Sequence, residues 1–135
     1  MAFMNWDDSL SVKVPSIDAE HQKLVALIND FYNDIYHKSP REKIRDTVQG
    51  LIDYTESHFL HEEKLMMEVA FEDYDQHKKE HDAFVAKVKE FHQRMEDGGF
   101  VVSIEITNFL KDWIKNHILG TDQKYMALFQ EKGIQ

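Results

Sequence analysis

Between His58 and His81 the chain reads HFLHEEKLMMEVAFEDYDQHKKEH, with two pairs of metal-capable side chains four residues apart, His58 with Glu62 and His77 with His81. On an α-helix, residues four apart lie one turn above one another on a single face. If both ends of the stretch are helical, the pairs sit on two successive helices. That is the geometry of a metal site built between helices.

The rest of the sequence limits what such a site can belong to. A chain of 135 residues is read as a single domain spanning residues 1–135, large enough to bury a core without disulfides or a structural metal, so a metal here serves function. Asp and Glu number 25 against 16 Lys and Arg, for a net charge of -9. That balance repels phosphate backbones and anionic lipid surfaces and argues against nucleic-acid and membrane partners. Cysteine is absent, which removes iron–sulfur clusters, thiolate zinc sites and thiol nucleophiles and leaves nitrogen and oxygen donors only. The N-terminal MAFMNWDDSL lacks the basic head and apolar core of a signal peptide, and apolar runs nowhere reach the length of a membrane span. A cytoplasmic, monomeric protein is expected.

Residues 1–16 show no sustained period and carry Trp6, Val12 and Val14 ahead of Pro15, as an arm laid over the rest would. A helical pattern starts at Ile17 and places His21, Leu24, Val25, Ile28, Phe31 or Tyr32, and Ile35 on one face. It should stop near Lys38, where Ser39, Pro40 and Glu42 form a helix start in which the serine caps and the proline occupies the first turn. The second seam runs Ile44, Val48, Leu51, Thr55, His58, Glu62 and Leu65. The third, capped by Asp73 and ended by Gly98 and Gly99, runs Tyr74, His77, His81, Phe84, Val88, Phe91 and Met95. A fourth helix after Val102, capped by Ser103, presents Ile106, Leu110, Trp113 and His117; Gly120 then offers a bend before a short amphipathic tail with Tyr125, Met126, Leu128 and Phe129. The reading is all-α: an antiparallel up-down four-helix bundle with an N-terminal arm and a short C-terminal helix.

The seams thus bury His21, His58, Glu62, His77, His81 and His117, at least one from each helix. A lone histidine on an apolar face is ordinarily a hydrogen-bonded core residue. Five converging from four helices with a carboxylate are different, because burying an unpartnered ionisable group costs on the order of several kcal/mol. Bound cations compensate that cost. His37, at a helix end, and His61 and His92, beside the seams, read as structural or solvated. Zinc would be satisfied by His77, His81 and His117 with water, leaving His21, His58 and Glu62 unexplained, whereas a pair of metals uses all of them. The Glu-x-x-His spacing of ferritin-like di-iron proteins and the HExxH spacing of zinc proteases are both absent.

These residues resemble the bacterial hemerythrins over nearly the whole chain: IDAEH ending at His21, HxxxE at His58 and Glu62, HxxxH at His77 and His81, and HxxxxD at His117 and Asp122. The resemblance implies two iron ions per chain, passing between Fe2+ and Fe3+ and joined by an oxo or hydroxo bridge. His77, His81 and His117 would bind one iron, His21 and His58 the other, and Glu62 and Asp122 would bridge them. Asp122 comes from the resemblance alone, since five residues on a straight helix turn it roughly 140° from His117. A bend or unwinding at Gly120 is expected to bring it back. With equal sharing of the bridges, the iron held by two histidines is left one donor short, and the implied ligand there is dioxygen. Leu24, Phe59, Trp113, Ile114 and Ile118 would form an apolar pocket around that position, without a general acid or base to break the O–O bond.

The implied function is reversible oxygen binding, for delivery to an oxygen-consuming protein or for storage, and not catalysis. A di-iron peroxidase or oxidase would need a more polar channel, and an oxygen-sensing module a signalling domain in the same chain. Two departures from the family pattern stand out: Ile114 where leucine is common, and Ala70, Phe71 and Glu72 where a Gly-Tyr-Pro-like turn is common.

Overall fold

A computed structural model describes residues 4–96 and 103–135, with the backbone alone for Ser103 and Ile104. Four helices, α1 (Pro15–Tyr36), α2 (Arg41–Glu68), α3 (Tyr74–Glu96) and α4 (Ser103–Asn116), are followed by a π-helical turn (His117–Asp122) and a short α5 (Gln123–Glu131). The connections after α1 and α2 are short, so those neighbours run antiparallel. Thr47 Oγ and Lys43 Nζ on α2 reach Asp34 near the end of α1, at 2.7 and 3.1 Å. At the far edge Arg41 donates to the Met95 carbonyl, joining the start of α2 to the end of α3. α3 meets α4 through rings, with Phe84 against Phe109 and Trp113. The all-helical bundle is the expected one.

Local chemistry explains where the helices stop. After α1 and α2 the chain closes with the same pair of bonds. Lys38 N–H reaches Ile35 O and Ser39 N–H reaches Asp34 O; Ala70 N–H reaches Met67 O and Phe71 N–H reaches Met66 O. This capping requires a left-handed residue, and Lys38 and Ala70 take it with φ of 54° and 52°. Ala70 thus ends α2 without the glycine that such a position favours. Ser39 does not cap α2: the N-cap is Pro40, with no side-chain cap, and its carbonyl accepts from Ile44 N–H, while Ser39 N–H closes the end of α1. At the other end of α1 the helix begins earlier than Ile17, with Pro15 in the first turn. The proposed ends at Gly98, Gly99 and Val102 lie outside the described residues.

The seams follow the sequence reading with four shifts. Met66, not Leu65, continues the α2 seam beyond Glu62; Ile114 is buried while Trp113 lies half-buried beside the α4 seam; and Ile35 and Tyr74 are each only partly buried. The described arm packs as expected. Met4 and Leu10 join the core, Val12 and Val14 are fully buried, and Asp18 accepts from Val12 N–H and Ser11 Oγ.

The buried apolar residues form two groups. A large one fills most of the bundle, from Leu24, Phe59 and Phe84 to Ile106 and Leu110. A smaller one, of Val12, Val14, Ile17, Met66, Tyr125 and Phe129, closes one end. Between them lies a layer of His21, His58, Glu62, His77, His81, His117 and Asp122, each at most 4% exposed. The polar layer is sealed by apolar side chains above and below.

Candidate metal centre

Each helix delivers its polar pair by simple periodicity. His58 and Glu62 stand one turn apart on α2, His77 and His81 one turn apart on α3, and His21 comes from the first half of α1. Asp122 arrives differently. From His117 to Asp122 the backbone is π-helical, and bonding to the fifth residue stacks residues five apart instead of turning them away. Gly120 lies inside this turn, whose lower twist per residue is the unwinding expected there, and a Cβ at Gly120 would meet nothing within 4 Å, so no close approach requires glycine at that position.

The donors divide into two overlapping groups, Glu62 with His77, His81, His117 and Asp122, and His21 with His58 and Glu62, and within each group the donor atoms lie inside 4.8 Å of one another. Every histidine presents Nε2. Glu62 Oε1 stands 2.7 Å from His77 and 3.1 Å from His81, while its Oε2 stands 3.4 Å from His58 and 3.6 Å from His21. Asp122 divides in the same way: Oδ1 is 2.9 Å from both His77 and His117, and Oδ2 is 3.2 Å from His21. Each carboxylate therefore offers one oxygen to a three-histidine side and one to a two-histidine side.

Several observations fit this set to cations. Both oxygens of Asp122 and His21 Nε2 are buried with no hydrogen-bond partner, though imidazole nitrogens stand 2.9 to 3.2 Å from those oxygens. Such atoms are costly unless something else satisfies them. His81 Nε2 and His117 Nε2 approach to 3.0 Å, aimed at a common point. On the three-histidine side neighbouring donors stand 2.7 to 3.1 Å from one another, close enough for a single ion to reach them together. Imidazole and carboxylate without thiolate suit a first-row metal such as iron.

The protonation of the metal-free protein reflects the same geometry. Burial alone would lower His58, but hydrogen bonds to Glu20 and Glu62 outweigh it and raise the imidazole to about 10. His77 rises likewise to about 9, against burial, through Asp122 and Glu62. His21 is also raised against burial, by Asp122 and Glu62. Burial pushes Glu62 up, yet the facing imidazoles of His21, His58, His77 and His81 hold it well below the usual carboxylate range. Asp122 is held low too, against burial and the Glu62 charge, by His117 and His21. Protons occupy the cluster where cations would.

The structure gathers all seven donors named from the sequence. Around them, Leu24, Phe59, Ile114 and Ile118 are buried. Phe59 lies flat on His81 at 3.7 Å and Trp113 flat on His117 at 4.4 Å, so both rings cover the three-histidine side. Among the residues set aside, His37 is the C-cap of α1 and His92 is a partly exposed neighbour of Glu96. His61 is engaged, its Nδ1 lying 2.9 Å from Glu20. The sequence reading missed four supporting groups. Glu20 accepts from His58 Nδ1 at 2.7 Å, Glu63 from His81 Nδ1 at 2.8 Å, and Tyr125 donates to Glu62 Oε2 at 3.0 Å. Glu80 faces His117 Nδ1 at 3.8 Å. The only signal was position, since each glutamate adjoins a cluster residue in sequence.

A helical bundle closing on a layer of imidazoles and two spanning carboxylates defines a metal-binding bundle protein. Comparison with known proteins narrows the class: residues 12–129 match the family model for the hemerythrin HHE cation binding domain. The chain is 32% identical to the bacteriohemerythrin of Stenotrophomonas maltophilia, covering 93% of this chain and 80% of that one. It is 34% identical to the bacteriohemerythrin of Clostridium acetobutylicum, over 90% and 97% of the two chains, and 34% identical to the myohemerythrin of Theromyzon tessulatum, over 89% and 88%. A crystal structure of wild-type hemerythrin superposes with a TM-score of 0.87 at 29% identity, covering 93% of this chain and 97% of that one. The chain belongs to the hemerythrin family.

Proposed function

We propose that the chain binds dioxygen reversibly at a non-haem di-iron centre, for oxygen delivery or storage. His77, His81 and His117 would hold one iron and His21 and His58 the other, with Glu62 and Asp122 each able to offer one carboxylate oxygen to either side. Family membership supports this reading. The observation that carries it is the unequal division of the cluster, with three Nε2 atoms on one side, two on the other and both carboxylates spanning the gap. With the bridges shared, the two-histidine side is the one left able to take a further ligand. Bound iron supplies the electron exchange that makes dioxygen binding possible.

The protein's own groups favour binding over turnover. The apolar layers, with Leu24, Ile114 and Ile118 buried near the cluster in sequence, exclude the water that would protonate a bound anion. The buried hydroxyl of Tyr125 touches the cluster, and its proton is committed to Glu62. Burial first, then the charges of Glu62 and Asp122, hold that phenol well above its ordinary value, so it keeps its proton. No helix among the described residues is long and apolar enough to cross a membrane. Cycling the anaerobically reduced, iron-loaded protein between oxygen and argon while recording the visible spectrum tests the reading. A charge-transfer band that appears and vanishes with each cycle is expected; colour that never reverses, or peroxide turnover in its place, would contradict it.

A further inference from the structure

Three glutamates outside the cluster form a regular pattern. Glu20, beside His21 on α1, accepts from His58 Nδ1 of α2 at 2.7 Å. Glu63, beside Glu62 on α2, accepts from His81 Nδ1 of α3 at 2.8 Å. Glu80, beside His81 on α3, faces His117 Nδ1 at the end of α4 at 3.8 Å, and its carboxylate is held by Thr121 Oγ at 2.9 and 3.1 Å. Each helix thus places a carboxylate behind a histidine of the next helix. Hydrogen bonds at Nδ1 are thus formed by His58 and His81; His117 Nδ1 has Glu80 facing it beyond hydrogen-bond distance, and among the described residues His21 and His77 have no partner at Nδ1.

We infer that Glu20, Glu63 and Glu80 are positioning residues that orient the metal-binding imidazoles, and that they divide the work between the two metals, Glu20 serving the two-histidine side and Glu63 with Glu80 the three-histidine side. The inference rests on the di-iron reading above. Its physical basis is that an imidazole donating Nδ1–H to a fixed carboxylate is locked in the tautomer that leaves the Nε2 lone pair free, with its ring plane set. Helical periodicity places the residue beside a cluster residue at the edge of the same face, within reach of the adjoining helix. Glu20 also accepts from His61 Nδ1 at 2.9 Å, which fixes the carboxylate from the outside.

The test is anaerobic titration of the metal-free protein with ferrous ion against a competing chelator, in the wild type and in the variants Glu20→Ala, Glu20→Gln, Glu63→Ala, Glu63→Gln and Glu80→Ala. Uptake of two ions by the wild type belongs to the di-iron reading, and failure there overturns that reading separately. Given two ions, Glu20→Ala is expected to weaken one of them, Glu63→Ala the other, each by roughly 10–100-fold. The glutamine variants keep an acceptor for Nδ1–H and the side-chain shape, so they should fold and recover most of the loss. Glu80→Ala, with the longer contact, should act on the same ion as Glu63→Ala and less strongly. Glu20→Ala and Glu63→Ala weakening the same ion, or both ions held within about threefold of wild type, would overturn the inference.

Discussion

At the scale of single residues, the cluster is balanced by protons when metal is absent and by metal when it is present. His58 and His77, raised from 6.5 to about 10 and about 9, contribute stability that is whole below pH 6.5 and is lost as pH climbs through those values. Glu62 and Asp122, lowered from 4.5 and 3.8, contribute stability that is present above those values and is lost as pH falls further. The metal-free protein should therefore be most stable between about pH 4.5 and 6.5 and lose melting temperature steadily toward pH 10. The iron-loaded protein, whose imidazoles are held deprotonated by metal, should lack that alkaline decline. Thermal melts of both forms across the range check this, and parallel curves would refute it. The same exchange implies proton release on loading at neutral pH, measurable in weakly buffered solution.

Among the elements, the two unusual backbone features lend themselves to different tests. Ala70 holds a left-handed conformation at the end of α2, which costs a residue with a Cβ roughly 1–2 kcal/mol. Ala70→Gly should raise stability by up to about 1 kcal/mol, less than the full cost because glycine also loosens the unfolded chain; chemical denaturation reads the difference. The π-helical turn behaves as an α-helix carrying one residue too many. Deleting Gly120, where nothing crowds the backbone, should leave His117 and the following aspartate four apart on an ordinary helix and still on one face. Retained binding of two metal ions is expected of the deletion variant. Loss of one ion would show that the widened turn is itself required. These two features also mark where sequence reasoning reached its limit. Apolar periodicity exposed the seams of all four helices, because core packing repeats every three or four residues and His21, His58, His77, His81 and His117 fall on that repeat. It could not place Asp122, since a change of helical pitch leaves no mark on residue type, nor show that α2 starts one residue later than a Ser39 cap requires, with Pro40 as its N-cap.

For the molecule as a whole, the ordering of layers is what makes the site possible. Apolar groups on either side of a seven-residue polar layer strengthen every electrostatic interaction within it, and the same dryness makes each unmatched charge expensive. The bundle was legible early because its constraints are global, repeated along each helix. The supporting carboxylates were not: Glu20, Glu63 and Glu80 look like ordinary surface residues until the helices are placed side by side. What the whole arrangement contributes is inequality, three imidazoles on one side and two on the other. Mössbauer spectroscopy of protein reconstituted with the active iron isotope observes this directly. Under oxygen, two iron signals of equal area and different environment are expected, returning to the reduced pattern under argon. One iron per chain, or two irons that remain indistinguishable when oxygen binds, would contradict it.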